Sequence, residues 1–184
     1  MPTSISTARL TLRRVTASDW PALRRIWLSE QNGPYARYDA PVDTSEDAVR
    51  ARAAKWATMA ARDDHRFYAV LLGDTMIGYI AMNARPCGYE TGYCFDSAYH
   101  GRGYAKEALL AILDELKSVS PVTITAGTAL VNTPSIALLK SAGFTQTATE
   151  TVSFREGESF EGGVFEMKLE NTNLSTKQKG FHTM

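Results

Sequence analysis

Residues 89–113, YETGYCFDSAYHGRGYAKEALLAIL, read as a strand, a glycine-bearing turn and a helix in immediate succession. Tyr89, Thr91, Tyr93 and Phe95 alternate with Glu90, Gly92 and Cys94, the period-two pattern of a strand with two different faces. From Tyr104 the period changes. Tyr104, Ala105, Ala108, Leu109, Ile112, Leu113 and Leu116 fall on one helical face, with Lys106, Glu107, Asp114, Glu115 and Lys117 on the other. Such a helix packs its apolar stripe on a sheet. Gly101 and Gly103 stand just ahead of it, where the first amides of a helix have no intrahelical partner and carry partial positive charge. Without a Cβ at these two positions, phosphate oxygens can come close to those amides. The stretch is therefore either a plain turn into a buried helix or an anion cradle. Two phosphate loops are excluded by pattern: there is no G-x-x-x-x-G-K-S/T, and no G-x-G-x-x-G followed by an acidic residue about 20 positions on.

The flanking sequence sets the architecture. RLTLRRV (9–15) predicts a first strand, and Thr16 with Asp19 has capping-box-like spacing ahead of a helix carrying Trp20, Leu23, Ile26 and Trp27 on one face. Asn32-Gly33-Pro34 ends that helix, and a second one with a weak stripe (Val49, Ala53, Trp56) follows. FYAVLLGDTMIGYIAMN (67–83) predicts a hairpin turning at Gly73-Asp74. VTITAGTALVN (122–132) is a further β-branched strand. It leads into TPSIALLKSAGF (133–144), a short helix with Thr133 at its expected N-cap, Pro134 in its first turn and Gly143 at a left-handed stop against which Phe144 packs on Leu139. TVSFREGESFEGGVFEMKLE (151–170) predicts a closing hairpin. The fold class that follows is mixed α/β (α+β), one domain over residues 1–169 with helices on both faces of a largely antiparallel sheet, and a polar tail over 170–184.

Composition removes several function classes. Lys+Arg and Asp+Glu are both 20, so the whole-chain charge gives no case for nucleic acid or an anionic membrane. The longest apolar run, Ala108 to Leu113, is far short of the ~18 residues that suggest a membrane span. No basic-then-apolar leader opens the chain. Cys87 and Cys94 lack C-x-x-C spacing and a nearby histidine pair, which predicts free thiols, a cytoplasmic setting and no metal.

The motifs in order resemble a known family. His100-Gly101-Arg102-Gly103-Tyr104-Ala105 resembles the acetyl-CoA motif of the GNAT superfamily of N-acetyltransferases, Gln/Arg-x-x-Gly-x-Gly/Ala. YETGYCFDSAYHGRGYAKEAL (89–109), TARLTLRRVTASDWPAL (7–23) and NTPSIALLKSAGF (132–144) resemble successive segments of its RimJ/RimL-like branch, which acetylates ribosomal-protein N-termini. The resemblance spans about residues 7 to 169. His100 departs from the Gln or Arg of the motif, and Leu139 stands where many members carry a tyrosine that protonates the leaving thiol; Ser135 is the residue that the RimL-like branch offers instead.

The resemblance implies acetyl-CoA as donor and direct attack by an amine in a ternary complex. The acceptor is left open between a protein N-terminus and a small amine, as is a homodimeric assembly. It assigns the cofactor site to Phe95, His100, Gly101, Arg102, Gly103, Tyr104, Ala105, Asn132 and Ser135, and the catalytic roles to Glu90 as base and Ser135 as acid. An α-amine, with a pKa of roughly 7.7–8.0, needs only modest help from such a base. Backbone N–H near Phe95, where the strand is expected to leave its neighbour, would bind the thioester oxygen. Ser135 can equally be a helix-start hydrogen bonder, and Asn132 can equally end a strand. The alternative function is a non-catalytic acyl-CoA-binding domain. Acceptor walls are expected in the 31–42 loop, the helix after it and the C-terminal hairpin, with Tyr35, Tyr38 and Trp56 as candidates; core packing or loop anchoring explains these aromatics equally well.

Overall fold

The computed structural model describes residues 2–59, 65–117 and 121–170. Eight strands form one sheet: β1 (Ser4–Ser6), β2 (Thr11–Arg14), β3 (His65–Leu72), β4 (Thr75–Arg85), β5 (Gly88–Phe95), β6 (Val122–Ala129), β7 (Thr145–Arg155) and β8 (Glu158–Leu169). Their order is β1-β2-β3-β4-β5-β6-β8-β7. Every pairing is antiparallel except β5 with β6. Four helices complete the fold: α1 (Trp20–Gln31), α2 (Glu46–Met59), α3 (Tyr104–Leu116) and α4 (Thr133–Ser141). The mixed α/β class read from the sequence is the observed one. The expected tail beyond Glu170 lies outside the described residues.

Strand alternation builds a core on each face of the sheet. Tyr68 and Val70 of β3 turn toward α3 and α4 and join Leu12, Ile80, Met82, Leu109, Ile112, Leu113 and Phe165. Phe67 and Ala69, one residue out of phase, turn toward α1 and α2 and join Leu23, Ile26, Trp27, Val49 and Ala53. Trp56 is part of that second core: it stacks on Phe67 with centroids 4.3 Å apart and meets Tyr79 edge-on at 5.1 Å. Of the two readings of this residue, packing is the one these contacts fit. The short strand β1 had no signal of its own, being three residues of SIS paired to β2.

The feature that positions the site is a split in the middle of the sheet. β5 pairs with β4 without interruption up to Phe95, whereas its parallel pairing with β6 covers only Gly88, Tyr89 and Glu90. β6 instead follows β8 from Val122 to Ala129. The two half-sheets part beyond Glu90 and enclose a V. At its closed end Gly88 allows the tight approach: with φ of 147°, a Cβ there would lie 1.8 Å from the Thr123 carbonyl oxygen. The strand therefore leaves its neighbour after the pairing at Glu90, earlier than the expected position near Phe95.

Candidate active site

The open edge of β5 presents backbone groups to the V. Asp96 N–H donates to the Ile77 carbonyl of β4 at 2.9 Å. Successive peptide groups along a strand point to opposite edges, so those of the odd residues face away from β4; Thr91 N–H still closes the last pair with Thr125, and the Thr91 carbonyl, the Tyr93 peptide groups and Phe95 N–H face into the gap. A chain with its own amides can line this edge as a missing strand would.

At the mouth of the V, β5 runs through a short 3-10 turn (Ser97–Tyr99) into the glycine loop and α3. Gly101 and Gly103 take φ of 71° and 79°, a left-handed backbone that disfavours any side chain. The helix's own ladder begins with Glu107 N–H to the Gly103 carbonyl at 3.0 Å. Among the described residues, the N–H groups of residues 101–106 meet no acceptor. Six consecutive donors at a helix start, unshielded at two of them by any Cβ, fit an anion such as a pyrophosphate.

The loop is held from both sides. Arg25 of α1 donates to Asp96 at 2.9 Å, Ser29 hydrogen-bonds Ser97 at 2.7 Å, and Asp96 accepts from Ala98 N–H at 3.0 Å. On the other side Arg9, from the β1–β2 turn, donates through Nη1 to the Arg102 carbonyl at 3.0 Å and through Nε to Glu107 at 2.6 Å. His100 belongs to this framework. Its Nε2 lies 2.8 Å from the Phe95 carbonyl, and its N–H donates to Ser97 at 3.2 Å. Its ring Nε2 and backbone N–H are thus both engaged inside the protein. Arg102 packs its guanidinium over Tyr99, 6.0 Å from the ring centroid, and Tyr104 carries Arg9 on its ring at 4.6 Å. Ala105 lies against the core under the first turn.

The second helix start at the mouth is built differently. Asn132, not Thr133, is the N-cap of α4: its Oδ1 accepts Ser135 N–H at 3.2 Å, and Thr133 and Pro134 occupy the first turn. Asn132 thus spends its amide oxygen on the helix. The stop is as read from the sequence, with Gly143 at φ of 101° and Phe144 N–H on the Leu139 carbonyl at 3.0 Å. The Ser135 hydroxyl points across the V and lies 2.8 Å from the Tyr93 hydroxyl. Burial pushes the Tyr93 phenol up to about 12 against the opposing bond from Ser135, so it keeps its proton at neutral pH. Tyr93 was read only as one face of a strand; its partner is 42 positions away, and no local pattern could connect them.

Glu90 sits at the apex, the last residue of β5 that pairs with β6. It is on the α1/α2 side of the sheet, half exposed, and paired with Arg85. Its neighbours across the ladders are Asn83, which pairs with His65, and Thr125, which pairs with Glu166 of β8. Glu166 is a second carboxylate on that row, which sequence reading passed over as a hairpin residue.

On the same side the β7–β8 hairpin reaches over to the α1–α2 loop. Arg155 donates to the carbonyls of Arg37 and Ala36 at 2.6 and 3.3 Å, and Phe160 meets Tyr38 edge-on at 5.3 Å. Below this bridge burial pushes the Glu30 carboxyl up, with repulsion from Asp39 adding to it. The crowded setting of Asp39 raises its carboxyl too, against the pull of Arg155. Both act, after burial, to raise the Cys94 thiol, which stays protonated as a packing group. Two surface hollows, of about 360 and 410 Å³, lie along α1 and the β3–β4 turn and contain none of the residues of the V.

Beside this geometry stands a family match: the acetyltransferase (GNAT) domain matches residues 9–145. The chain belongs to the GNAT acetyltransferase family. Solved structures share the fold of this GNAT chain. Ribosomal-protein-S5-alanine acetyltransferase from Vibrio fischeri superposes with a TM-score of 0.80 over 92% of this chain and 98% of its own, at 15% identity. The Salmonella typhimurium acetyl transferase that modifies the N-terminal serine of ribosomal protein L7/L12 gives 0.79 over 89% and 98%, at 17% identity. Mycobacterium smegmatis RimJ, in complex with CoA-disulfide, gives 0.78 over 91% and 88%, at 19% identity. At these identities the likeness is one of fold. No curated protein sequence matches the chain. As a GNAT enzyme it is an N-acetyltransferase, moving an acetyl group to an amine.

Proposed function

We propose that acetyl-CoA lies in the V with its pyrophosphate on the amides of residues 101–105, and that a primary amine attacks from the α1/α2 side. The observation that carries this is the run of unsatisfied amides at the start of α3 beside an unpaired strand edge. Acetyl-CoA supplies the thioester that accepts the amine and the thiolate that leaves. Gly101, Arg102, Gly103, Tyr104 and Ala105 hold its phosphates through backbone N–H. The Thr91 carbonyl, the Tyr93 peptide groups and Phe95 N–H bind its amide-bearing arm as a ladder, and an N–H on this edge polarises the thioester carbonyl.

Glu90 takes the proton of the amine, through water, at the point where the sheet opens. An α-amine of pKa roughly 7.7–8.0 asks little of such a base, a lysine of roughly 10.4 much more. The Ser135 hydroxyl, fixed by Tyr93, donates a hydrogen bond to the leaving sulfur on the α3/α4 side. Asn132 acts by fixing the first turn of α4 and so the place of Ser135. The acceptor is a peptide N-terminus, as in the ribosomal-protein enzymes that share the fold, or a small amine. The carboxyls of Glu30 and Asp39 at the mouth favour its cationic form on arrival. We place the reaction in the cytoplasm.

Thiol release from acetyl-CoA over a panel of N-terminal peptides and small amines, with products read by mass spectrometry, tests the reading. An acetylated amine forms at the rate of thiol release, and Glu90→Gln lowers kcat by about a hundredfold, with the loss shrinking as pH rises. Thiol release with no amine in the panel acetylated, or an unchanged pH–rate profile in Glu90→Gln, would reject it.

A further inference from the structure

Two of the family-like segments, TARL and KEAL, contain charged residues that the reaction does not use, Arg9 and Glu107. They meet across 98 positions. Glu107 accepts from Arg9 Nε at 2.6 Å, from Arg9 N–H at 3.0 Å and from the Thr7 hydroxyl at 2.5 Å. Burial works to raise this carboxyl, but the bonds from Thr7 and Arg9 outweigh it and hold it below the usual range. The pair fixes the Arg9 guanidinium against the first turn of α3, with the Tyr104 ring beneath it.

Of the three nitrogens of that guanidinium, Nε is taken by Glu107 and Nη1 by the Arg102 carbonyl. Nη2 has no acceptor among the described residues, and a Cβ built on Gly103 would lie 3.5 Å from it. The free arm of the fork therefore lies beside the glycine whose missing side chain opens the helix start. The Nη1 bond has a second effect. In a planar trans peptide the carbonyl and the following N–H point opposite ways, so gripping the Arg102 oxygen turns Gly103 N–H away from Arg9 and fixes its direction.

We infer that Arg9 is a phosphate-binding residue of this enzyme, its Nη2 donating to the pyrophosphate of CoA while its Nε and Nη1 set the loop that supplies the backbone donors. The inference rests on the acetyl-CoA reading of the same loop. The chemistry suits a guanidinium: three edges are used at once, and a lysine could supply only a point charge. Glu107 orients the fork without approaching the anion.

Calorimetry on the full chain with CoA and with 3′-dephospho-CoA tests it, using wild type, Arg9→Gln and Arg9→Lys. Arg9→Gln is expected to weaken both ligands by about tenfold, the scale of one charge-assisted hydrogen bond, and to flatten the salt dependence of binding. Arg9→Lys recovers the salt dependence and only part of the affinity, and guards against a fold defect in Arg9→Gln. Wild-type affinity in Arg9→Gln overturns the inference. So does a loss confined to CoA, which would put Arg9 on the 3′-phosphate, or an unchanged salt dependence, which would leave it a purely structural strut. Failure of the wild type to bind either ligand would instead overturn the reading of the loop itself.

Discussion

The first turn of α4 has a use for every amide it offers, whereas in that of α3, at the same mouth, Glu107 N–H is paired and the three before it are not. Thr133 N–H donates to Val131, Pro134 has no N–H, Ser135 N–H goes to the Asn132 side chain and Ile136 N–H to the Asn132 carbonyl. Residues 101–106 make no such bond among the described residues, and their loop is held by its carbonyls and side chains, from Arg9, Arg25 and Ser29. A helix start can be finished for stability or left open for a ligand. The sequence marks the difference chemically: Asn-Thr-Pro-Ser closes one, His-Gly-Arg-Gly opens the other. The open one costs backbone strain and unpaired donors, and its framework of charged contacts replaces the missing caps.

The strongest way to break the contrast is to put the same β-branched residue at each junction. Gly103→Val should raise the KM for acetyl-CoA about a hundredfold, since left-handed strain of about 1–2 kcal/mol adds to obstruction of the amides. Thr133→Val, in a right-handed turn already capped, should leave that KM unchanged; equal effects would erase the distinction. Next in size is Ser135→Ala. Steady-state kinetics should show kcat lower by about tenfold, or 1.4 kcal/mol of transition-state stabilisation, with the acetyl-CoA KM unmoved. A mutant with full kcat would return Ser135 to packing against Tyr93.

Asn132→Ala should lower the melting temperature by about 2–4 °C, the equivalent of about 1 kcal/mol for a lost N-cap, while CoA affinity stays the same. A drop in affinity with no loss of stability would move Asn132 to the ligand. The smallest effect concerns Glu30. Its carboxyl is raised in the folded protein, so the fold binds that proton more tightly than the unfolded chain and stability falls as pH climbs through the raised value. Glu30→Gln should therefore raise the melting temperature at neutral pH by about 1 °C, a gain that fades below the carboxylate range.

Much of this contrast was legible in the sequence. The change of period at Tyr104, the two glycines ahead of it, and the Pro134 and Gly143 punctuation of α4 are local signals, and each element they announced is present. What was illegible is long-range. The choice of Asn132 over Thr133 as cap lies between two good capping residues and is settled by where β6 ends. The opening of the sheet after Glu90 depends on where β5 and β6 stop pairing, a contact between distant segments that no window of sequence contains. The contacts of Tyr93 with Ser135 and of Arg9 with Glu107 likewise exist only after the sheet has assembled. His100 adds a contact of the same kind, its ring lying against the Phe95 carbonyl at the end of β5.

The central claim is that one helix start and one strand edge are left unsatisfied for CoA. Amide hydrogen exchange with and without saturating CoA measures this residue by residue. The account predicts new protection at Tyr93 and Phe95 and across residues 101–106, with the amides of residues 133–136 unchanged. Protection at the start of α4 with none at the start of α3 would contradict it.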